Sequence, residues 1–422
     1  MTFFEYYLKF SGFNIKKSIE KIKYLRSLDD IQFSKWQNNR KSFILNYHFE
    51  NNNFYRNHLK GIFPSSWDKI PILEKKNYQL NLESMLSKKY TLKDVYISNT
   101  SGSSGHPFTF AKDKESHAMT WAYIKLRYEE LNLEFSDLEA RFYGIPKDYK
   151  SYYREKIKDF IMRRKRFPVF DLSDKALYNF LKIFKKYKFK YVYGYTNSIL
   201  IFSKYLIKNN VTFFELCPTV KKIIVTAEMC FPENRKIIEN AFKLPVYNEY
   251  GSSETGYIAY EETIDNWVVS SENIFLENDS DSNLLVTDLN NKAFPIIKYK
   301  IGDIALVKNK KGRQYLTGLN GRTNDNIILP SGKKSPGLTF YYISKFLLEE
   351  LNIIKEFIIR QTSFNKFIFE IISKRNFNKQ DLQVIQSHLD NYLEKGLKFE
   401  IKYVSKIKRP KSGKIKHFYS EL

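Results

Sequence analysis

Ten consecutive residues, Tyr247-Asn-Glu-Tyr-Gly-Ser-Ser-Glu-Thr-Gly256, gather an aromatic face, two glycines, hydroxyls and two carboxylates. Tyr250 can stack on a planar ring, Gly251 lets the backbone approach a ligand closely, Ser252 or Ser253 can donate to a phosphate, and Glu254 can ligate a hard cation. Together these types point to a nucleotide with Mg²⁺; a polar turn with a capping glutamate has the same composition. An apolar run at residues 244–246 feeds the stretch and a short β-like run at 257–260 leaves it, so it reads as a functional loop between two fixed ends. Glu249, the other carboxylate, has no role in this reading.

A second small-residue loop, Asn99-Thr-Ser-Gly-Ser-Ser-Gly-His-Pro107, lies between β-like runs at 95–98 and 108–111. Strand, loop, strand differs from a Walker A loop or a dinucleotide fingerprint, whose glycines open a helix. Thr100, Ser101, Gly102, Ser103, Ser104 and Gly105 nevertheless offer hydroxyls and unobstructed N–H groups to phosphate oxygens, and a surface linker shares that composition. Asp303, in Lys300-Ile-Gly-Asp303, places an acceptor pair on a glycine turn, suited to two ribose hydroxyls. Arg322, in Gly318-Leu-Asn-Gly-Arg322, stands on another glycine turn, suited to phosphate or ribose oxygens. Tyr143 reads either as a pocket wall or as core. In the basic tail, Pro410 and Ser412-Gly413 would hold Lys414 in a defined place.

These groups need a scaffold, and the hydropathy pattern supplies one. The first ninety or so residues show mixed helical patterning, a lead-in packed on something larger. A helix is expected over 113–131 with Met119, Ala122, Tyr123 and Leu126 on one face, then strands at 190–194 and 222–226 alternating with helices over 175–188 and 232–243. Such alternation implies parallel strands with helices on both faces, and ligands beyond the strands' carboxyl ends, where the two polar loops can meet in one crevice. After Gly256 the spacing shortens into β-like runs, a small antiparallel barrel or sheet attached to the α/β part. Beyond Arg322 a separate α+β domain is expected, with a helix over 339–351, strands at 356–360 and 367–372, and an amphipathic helix over 379–395 carrying Leu382, Ile385, Leu389 and Tyr392.

With 422 residues, 43% hydrophobic and 17% aromatic, the chain is globular rather than disordered. It has no apolar run of membrane-spanning length and no signal-peptide pattern at its start, which suits the cytoplasm. Cys217 and Cys230 lack partners at zinc spacing and read as buried free thiols. The formal charge of +24 attracts polyanions, although the lysines are scattered. The densest basic cluster, Arg163-Arg-Lys-Arg166 beside Phe167 and Phe170, reads as a solvated helix end or as a peripheral contact with a membrane or a nucleic acid. A basic membrane-surface or nucleic-acid-binding protein without catalysis is the alternative to a nucleotide enzyme.

In their order along the chain, these elements resemble the adenylate-forming superfamily, and within it the phenylacetate-CoA ligase branch that includes CapK-like proteins found with polysaccharide synthesis. The resemblance runs from residue 95 to residue 416. It implies a large N-terminal domain, residues 1–321, of mixed sheets with flanking helices and a small barrel-like part, and a small mobile α+β domain, residues 322–422. It implies ATP and Mg²⁺, a carboxylic acid substrate, CoA or an amine as acceptor, and no nucleic acid. Residues 100–105 resemble the loop for the β and γ phosphates, and Thr226-Ala-Glu228 the segment whose backbone borders adenine. Tyr250 would stack on adenine, Ser253 contact the α-phosphate or the substrate carboxylate, Glu254 hold Mg²⁺ and Asp303 the ribose, while Tyr143 and Gly251 would line the acyl site. Arg322 and Asn324 fall at the hinge, and Lys414 matches the catalytic lysine. His106 stands where many members carry lysine, and Asn324 where the hinge usually has a charged residue.

Overall fold

The computed structural model describes residues 2–78, 80–99, 108–144, 149–169, 172–310, 312–322, 326–332, 334–336, 354–407 and 418–422. Residues 100–105, His106, Asn324, the helix expected over 339–351 and Lys414 lie outside the described residues. Contacts divide the chain into two units, Met1–Ile301 with Ala305–Leu319, and Gly302–Ile304 with Asn320–Leu422.

The first unit opens with helices α1 (Phe3–Phe10), α2 (Ile15–Ser27), α3 (Asp30–Asn51), α4 (Asn53–His58) and α5 (Leu82–Met85). The three longest begin on side-chain caps, from Thr2 with Glu5, Asn14 and Asp29, which satisfy N–H groups that the first helical turn leaves open. Buried and half-buried polar groups fasten this helical lead-in to the β-rich half of the unit. Gln37 donates to Ser271 O at 3.0 Å, Arg40 to Leu289 O at 2.7 Å, and His48 Nε2 lies 2.9 Å from Asn291 O.

Strands β1 (Tyr96–Asn99) and β2 (Thr109–Lys112) pair antiparallel as a sheet of their own, and α6 (Lys114–Glu130) follows, capped by Asp113. Alternation then sets in through β3 (Glu139–Phe142), α7 (Tyr149–Ile161), β4 (Arg164–Phe167), α8 (Asp174–Lys186), β5 (Tyr191–Tyr195), α9 (Thr196–Lys208), α10 (Phe213–Leu216), β6 (Lys222–Thr226), α11 (Pro232–Phe242) and β7 (Val246–Ser252). Six further strands come without helices: β8 (Gly256–Thr263), β9 (Asn266–Val269), β10 (Ile274–Asn278), β11 (Asn283–Asp288), β12 (Tyr299–Lys310) and β13 (Arg313–Arg322). All eleven from β3 to β13 join one sheet, ordered β10-β11-β12-β13-β9-β8-β7-β6-β5-β3-β4. Pairing is parallel from β4 to β7 and antiparallel from β7 through β8 to β9, so the β-rich stretch continues the α/β sheet edge to edge.

Both faces of the parallel half are covered. On one, Phe142, Val192, Ile223, Val225 and Val246 pack with Phe180, Phe184, Phe202 and Ile238 of α8, α9 and α11. Gly194 is required there, because a Cβ would lie 2.5 Å from the Cβ of Phe142. On the other, Tyr191, Ile224 and Tyr257 pack with Met119, Ala122, Tyr123 and Leu126 of α6, the face expected from spacing, with Phe4, Leu8 and Ile22 outside them. Each such phenylalanine or leucine, fully buried, contributes about 1.5–3 kcal/mol.

Four local readings change. Residues 247–252 are not loop but most of β7; only residues 253–255 turn, and the polar residues are accommodated because the strand is hydrogen-bonded to β6 on one side and β8 on the other. Asp303 lies within the long strand β12, after Gly302 with φ of +90°, rather than on a turn between strands. Gly318 and Arg322 likewise belong to one strand, β13. The basic cluster at residues 163–166 is neither a solvated end nor a bare basic surface. Arg164–Phe167 is edge strand β4, and Asp159 of α7 accepts from Arg164 Nε at 2.7 Å and from Arg166 Nε and Nη2 at 3.0 and 2.8 Å, with Glu155 adding a 3.0 Å bond to Arg166.

In the second unit β14 (Asn326–Ile328) pairs with β15 (Lys334–Pro336), and β16 (Ile354–Ser363), β17 (Lys366–Ser373), β18 (Lys398–Tyr403) and β19 (Phe418–Ser420) form a sheet ordered β18-β17-β16-β19. Helix α12 (Lys379–Tyr392) starts on a capping box of Asn378 and Asp381 and buries Ile385 and Leu389 against Phe367, Phe369 and Ile371. Leu382, expected on that seam, is exposed. Cys217 and Cys230 are buried free thiols. Among the described residues no helix is long and apolar enough to cross a membrane.

The side chains of Arg166 and Asp159 are 6% and 7% exposed, so removing one partner strands charge out of reach of water. Asp159→Ala is expected to cost about 3–5 kcal/mol, read as a lowered urea midpoint, whereas Lys158→Ala, at an exposed pair, changes stability by less than about 1 kcal/mol.

Candidate functional site

The β7–β8 hairpin is tight because two glycines allow it. A Cβ on Gly251 would lie 2.5 Å from Gly256 O, and Gly256 has φ of +82°, a conformation that L side chains rarely adopt. Ser252 Oγ accepts from Thr255 N at 3.1 Å and lies 2.9 Å from Thr255 Oγ1, closing the turn, and Thr226 Oγ1 donates to Glu249 O at 3.0 Å, tying β7 to the end of β6. Ser253 is thereby exposed at the tip. Tyr250, half-buried, meets Trp267 edge to face at 6.4 Å.

Glu254 turns inward. It is 8% exposed, and its Oε1 accepts from the hydroxyl of Tyr299, the first residue of β12, at 3.1 Å. Beneath the hairpin lies Lys112, the last residue of β2, 2% exposed, with Nζ 3.5 Å from Thr120 Oγ1; a Cβ on Gly256 would come within 2.9 Å of that nitrogen. Burial pushes the Lys112 ammonium below its ordinary value, opposed by the carboxylates of Asp288, Glu254 and Asp113. Asp288 and Asp113 are themselves held in place. Asp288 accepts from Ser116 Oγ at 2.9 Å and from the amides of Asn290 and Asn291 at 2.9 and 3.0 Å, and Asp113 accepts from Ser116 N at 2.8 Å and Lys292 N at 2.6 Å. The hairpin thus sits over one buried ammonium and the carboxylates of Asp113 and Asp288, with its own Glu254 completing the set.

Glu228 follows β6 through Ala227, whose φ is +67°. Its carboxylate accepts from Asn197 N at 2.8 Å in the first turn of α9, and its carbonyl accepts from Thr196 Oγ1 at 3.0 Å, so the side chain serves that helix. Tyr143, just past β3, is half-buried, its ring 4.2 Å from Tyr195 and 5.9 Å from Tyr193, with the Arg141 guanidinium 4.2 Å above it. Tyr143, Glu228 and the β7 residues therefore stand at the carboxyl ends of adjacent parallel strands, where open α/β sheets bind ligands. Tyr250, Gly251, Ser253 and Glu254 share one hairpin. Asp303 is on β12; Arg322 ends β13; the residues at 100–105, Asn324 and Lys414 lie outside the described residues.

Two residues here escaped the sequence reading. Lys112 carried a signal, a lysine ending an otherwise apolar strand. Glu249 carried another: it precedes Tyr250 and so must face the opposite side of β7. It is 6% exposed, its Oε1 has no hydrogen-bond partner, and burial raises its carboxyl to about 7, with Arg127 and Tyr193 acting against that rise and Glu139 adding to it.

Residues 338–421 match a family model described as the CapK C-terminal domain. Over 420 residues, 94% of this chain and 91% of the relative, the chain is 23% identical to Protein CapK of Staphylococcus aureus. A structure of 2-hydroxyisobutyryl-CoA ligase in the postadenylation state in complex with 2-HIB-AMP superposes with a TM-score of 0.69 at 15% identity, over 93% of this chain and 90% of that one. A GH3.15 acyl acid amido synthetase in complex with 2,4-DB superposes with a TM-score of 0.59 at 13% identity, over 93% and 89%. The fold is that of the adenylate-forming enzymes. The similarity to Protein CapK runs along nearly the whole length of the chain.

The raised Glu249 carboxyl makes stability depend on pH. The group ionises at about 7 in the folded protein against 4.5 for an unperturbed glutamate, so its contribution is fully present below about 4.5 and is lost as pH rises through 7. Glu249→Gln removes that loss. Its unfolding free energy relative to the parent, read from urea titration, is expected to rise between pH 5 and pH 8, by no more than about 3 kcal/mol; a difference independent of pH would show that the carboxyl is ionised throughout.

Proposed function

We propose that the protein is an ATP- and Mg²⁺-dependent ligase that activates a carboxylic acid as its acyl-adenylate and passes the acyl group to CoA or to an amine. The observation that carries this reading is the Tyr250 to Glu254 hairpin at the carboxyl end of a parallel sheet, on a fold shared with acyl-CoA ligases and acyl acid amido synthetases. Tyr250 supports the adenine, the backbone at Ala227 and Glu228 borders it, and Asp303 and Arg322 hold the ribose and phosphate oxygens. Thr100 to Gly105 cradle the β and γ phosphates. Ser253 reaches the α-phosphate or the substrate carboxylate, and Tyr143 and Gly251 line the acyl group.

Glu254 suits a magnesium ion, which is usually held by one or two carboxylates together with substrate phosphates and waters. Tyr299 orients one of its oxygens, and its charge supports the buried Lys112 ammonium. When bound, the ion offsets phosphate charge. A carboxylate oxygen of the acid bonds to the α-phosphorus as the bond to the bridging oxygen breaks and pyrophosphate leaves; a thiol or amine then attacks the acyl carbon and AMP departs. Lys414 places its ammonium where charge develops on the α-phosphate, a task for a compact cation on a flexible stem. Residues 322–422, with Asn324 at the hinge, act as the lid that delivers it and later withdraws it for the acceptor. ATP and CoA set this activity in the cytoplasm, and the CapK likeness extends the reading to an acyl donor for capsular or surface polysaccharide.

Carboxylate-dependent exchange of labelled pyrophosphate into ATP tests the reading. The parent is expected to catalyse exchange with at least one acid of a broad panel, and Lys414→Ala and Glu254→Ala to lose about 100- to 1,000-fold. No exchange by the parent with any acid would sink it.

A further inference from the structure

Two buried polar atoms of the hairpin strands are left without hydrogen bonds, Glu249 Oε1 and the Tyr257 hydroxyl. Such orphans cost about 1–3 kcal/mol each and are rare in native folds. They belong together. Tyr257 pairs with Gly251 across the hairpin, beside a register shift and two residues from Glu249, it packs on the same side as Tyr247, and the Glu249 carboxylate is the strongest charge acting on its hydroxyl. By strand register Glu249 lies level with Thr226 and Tyr195, two residues beyond Tyr193 and Arg141; Tyr193, whose hydroxyl bonds the Glu249 carboxylate, stacks on Tyr143, and the Tyr143 ring meets Tyr195 at a tilt.

The charges around Glu249 are largely engaged elsewhere, although Arg127 Nε, like Glu249 Oε1, has no hydrogen-bond partner. Arg127 bonds Glu130 at 3.0 Å and lies 3.9 Å over the ring of Tyr260, and Arg141 bonds Glu139 at 2.7 Å and lies over Tyr143 and Tyr193. Among the described residues Glu249 forms no ion pair. An ammonium group entering here would meet two guanidinium groups, and a hydrocarbon would leave both orphans unmet. A neutral hydroxyl can donate to Glu249 Oε1 and accept from Tyr257, which satisfies both.

We infer that this face selects the acyl group and takes a carboxylic acid bearing a hydroxyl, held between Glu249 Oε1 and the Tyr257 hydroxyl with the tyrosine rings as walls. The inference rests on the reading of the site as one that activates a carboxylic acid.

Pyrophosphate exchange separates the two. The probes are the three monohydroxybutyrates against butyrate and pentanoate, the hydroxybenzoates against benzoate, and 4-aminobutyrate. The best hydroxylated acid is expected to exceed its apolar counterpart by at least about 100-fold in kcat/KM, since a site built to bond a hydroxyl leaves polar groups unpaired without it. Glu249→Leu is expected to reverse that order, Tyr257→Phe to weaken it, and Glu249→Gln, which keeps an acceptor oxygen, to retain it. Exchange with apolar acids equal to or above the hydroxylated ones, or a preference for the amino acid, overturns the hydroxyl assignment while leaving acid activation intact. Exchange with none of these acids shifts the decision to calorimetric titration of the same set, which needs no turnover: equal affinities for hydroxylated and apolar acids in parent and Glu249→Leu overturn the proposal, and hydroxyl-dependent binding lost in Glu249→Leu supports it.

Discussion

The close approach of the β7–β8 hairpin to the Lys112 ammonium is the constraint on which the rest of this site depends. Neither glycine of the hairpin can carry a side chain without displacing the opposite backbone or the lysine. Once the backbone is that low, Glu254 is carried into reach of Tyr299, and Ser253 is left at the tip. Lys112 in turn is tolerable only because Asp288, Asp113 and Glu254 surround it and because their remaining lone pairs are taken by Ser116 and by backbone amides of residues 290–292. The helix cap of α6, the end of β2 and the end of β11 are therefore one assembly.

Much of this could be seen in the sequence where a single period dominated. Residues 113–131 alternate apolar and polar groups at helical spacing from an aspartate cap, and α6 with its cap spans that range. Strand β6 and helix α11 were equally plain, since an apolar run and a proline mark their starts. Polar residues inside strands were not legible. In Val246–Ser252 the sequence shows Asn, Glu, Tyr, Gly and Ser, which is turn chemistry, and only the hydrogen bonds supplied by β6 and β8 make it a strand. Asp303 and Gly318 misled in the same way, because glycine with positive φ occurs within β12 and β13 as well as at their ends.

The basic cluster at residues 163–166 makes a related point about charge. A run of like charges normally marks a solvated face, and the pattern along one strand contains nothing else. Its partners, Glu155 and Asp159, sit on the preceding helix and are brought opposite the strand by the chain reversal at Arg163, whose φ is +50°. Net charge read from composition thus overstates how much of it is available to a polyanion.

Strand β7 is the last parallel and the first antiparallel member of the sheet, and consecutive residues on it address different neighbourhoods. Tyr250 packs with the β-rich half through Trp267, while Glu249 belongs to the tyrosine-lined side beneath α6. Because the pleat alternates strictly, a change at one of these positions is felt on one side of the sheet only. A lineage carrying this strand can drift at position 249 while position 250 stays under its own constraint, so neighbours in the chain are insulated from each other by the thickness of a single peptide layer.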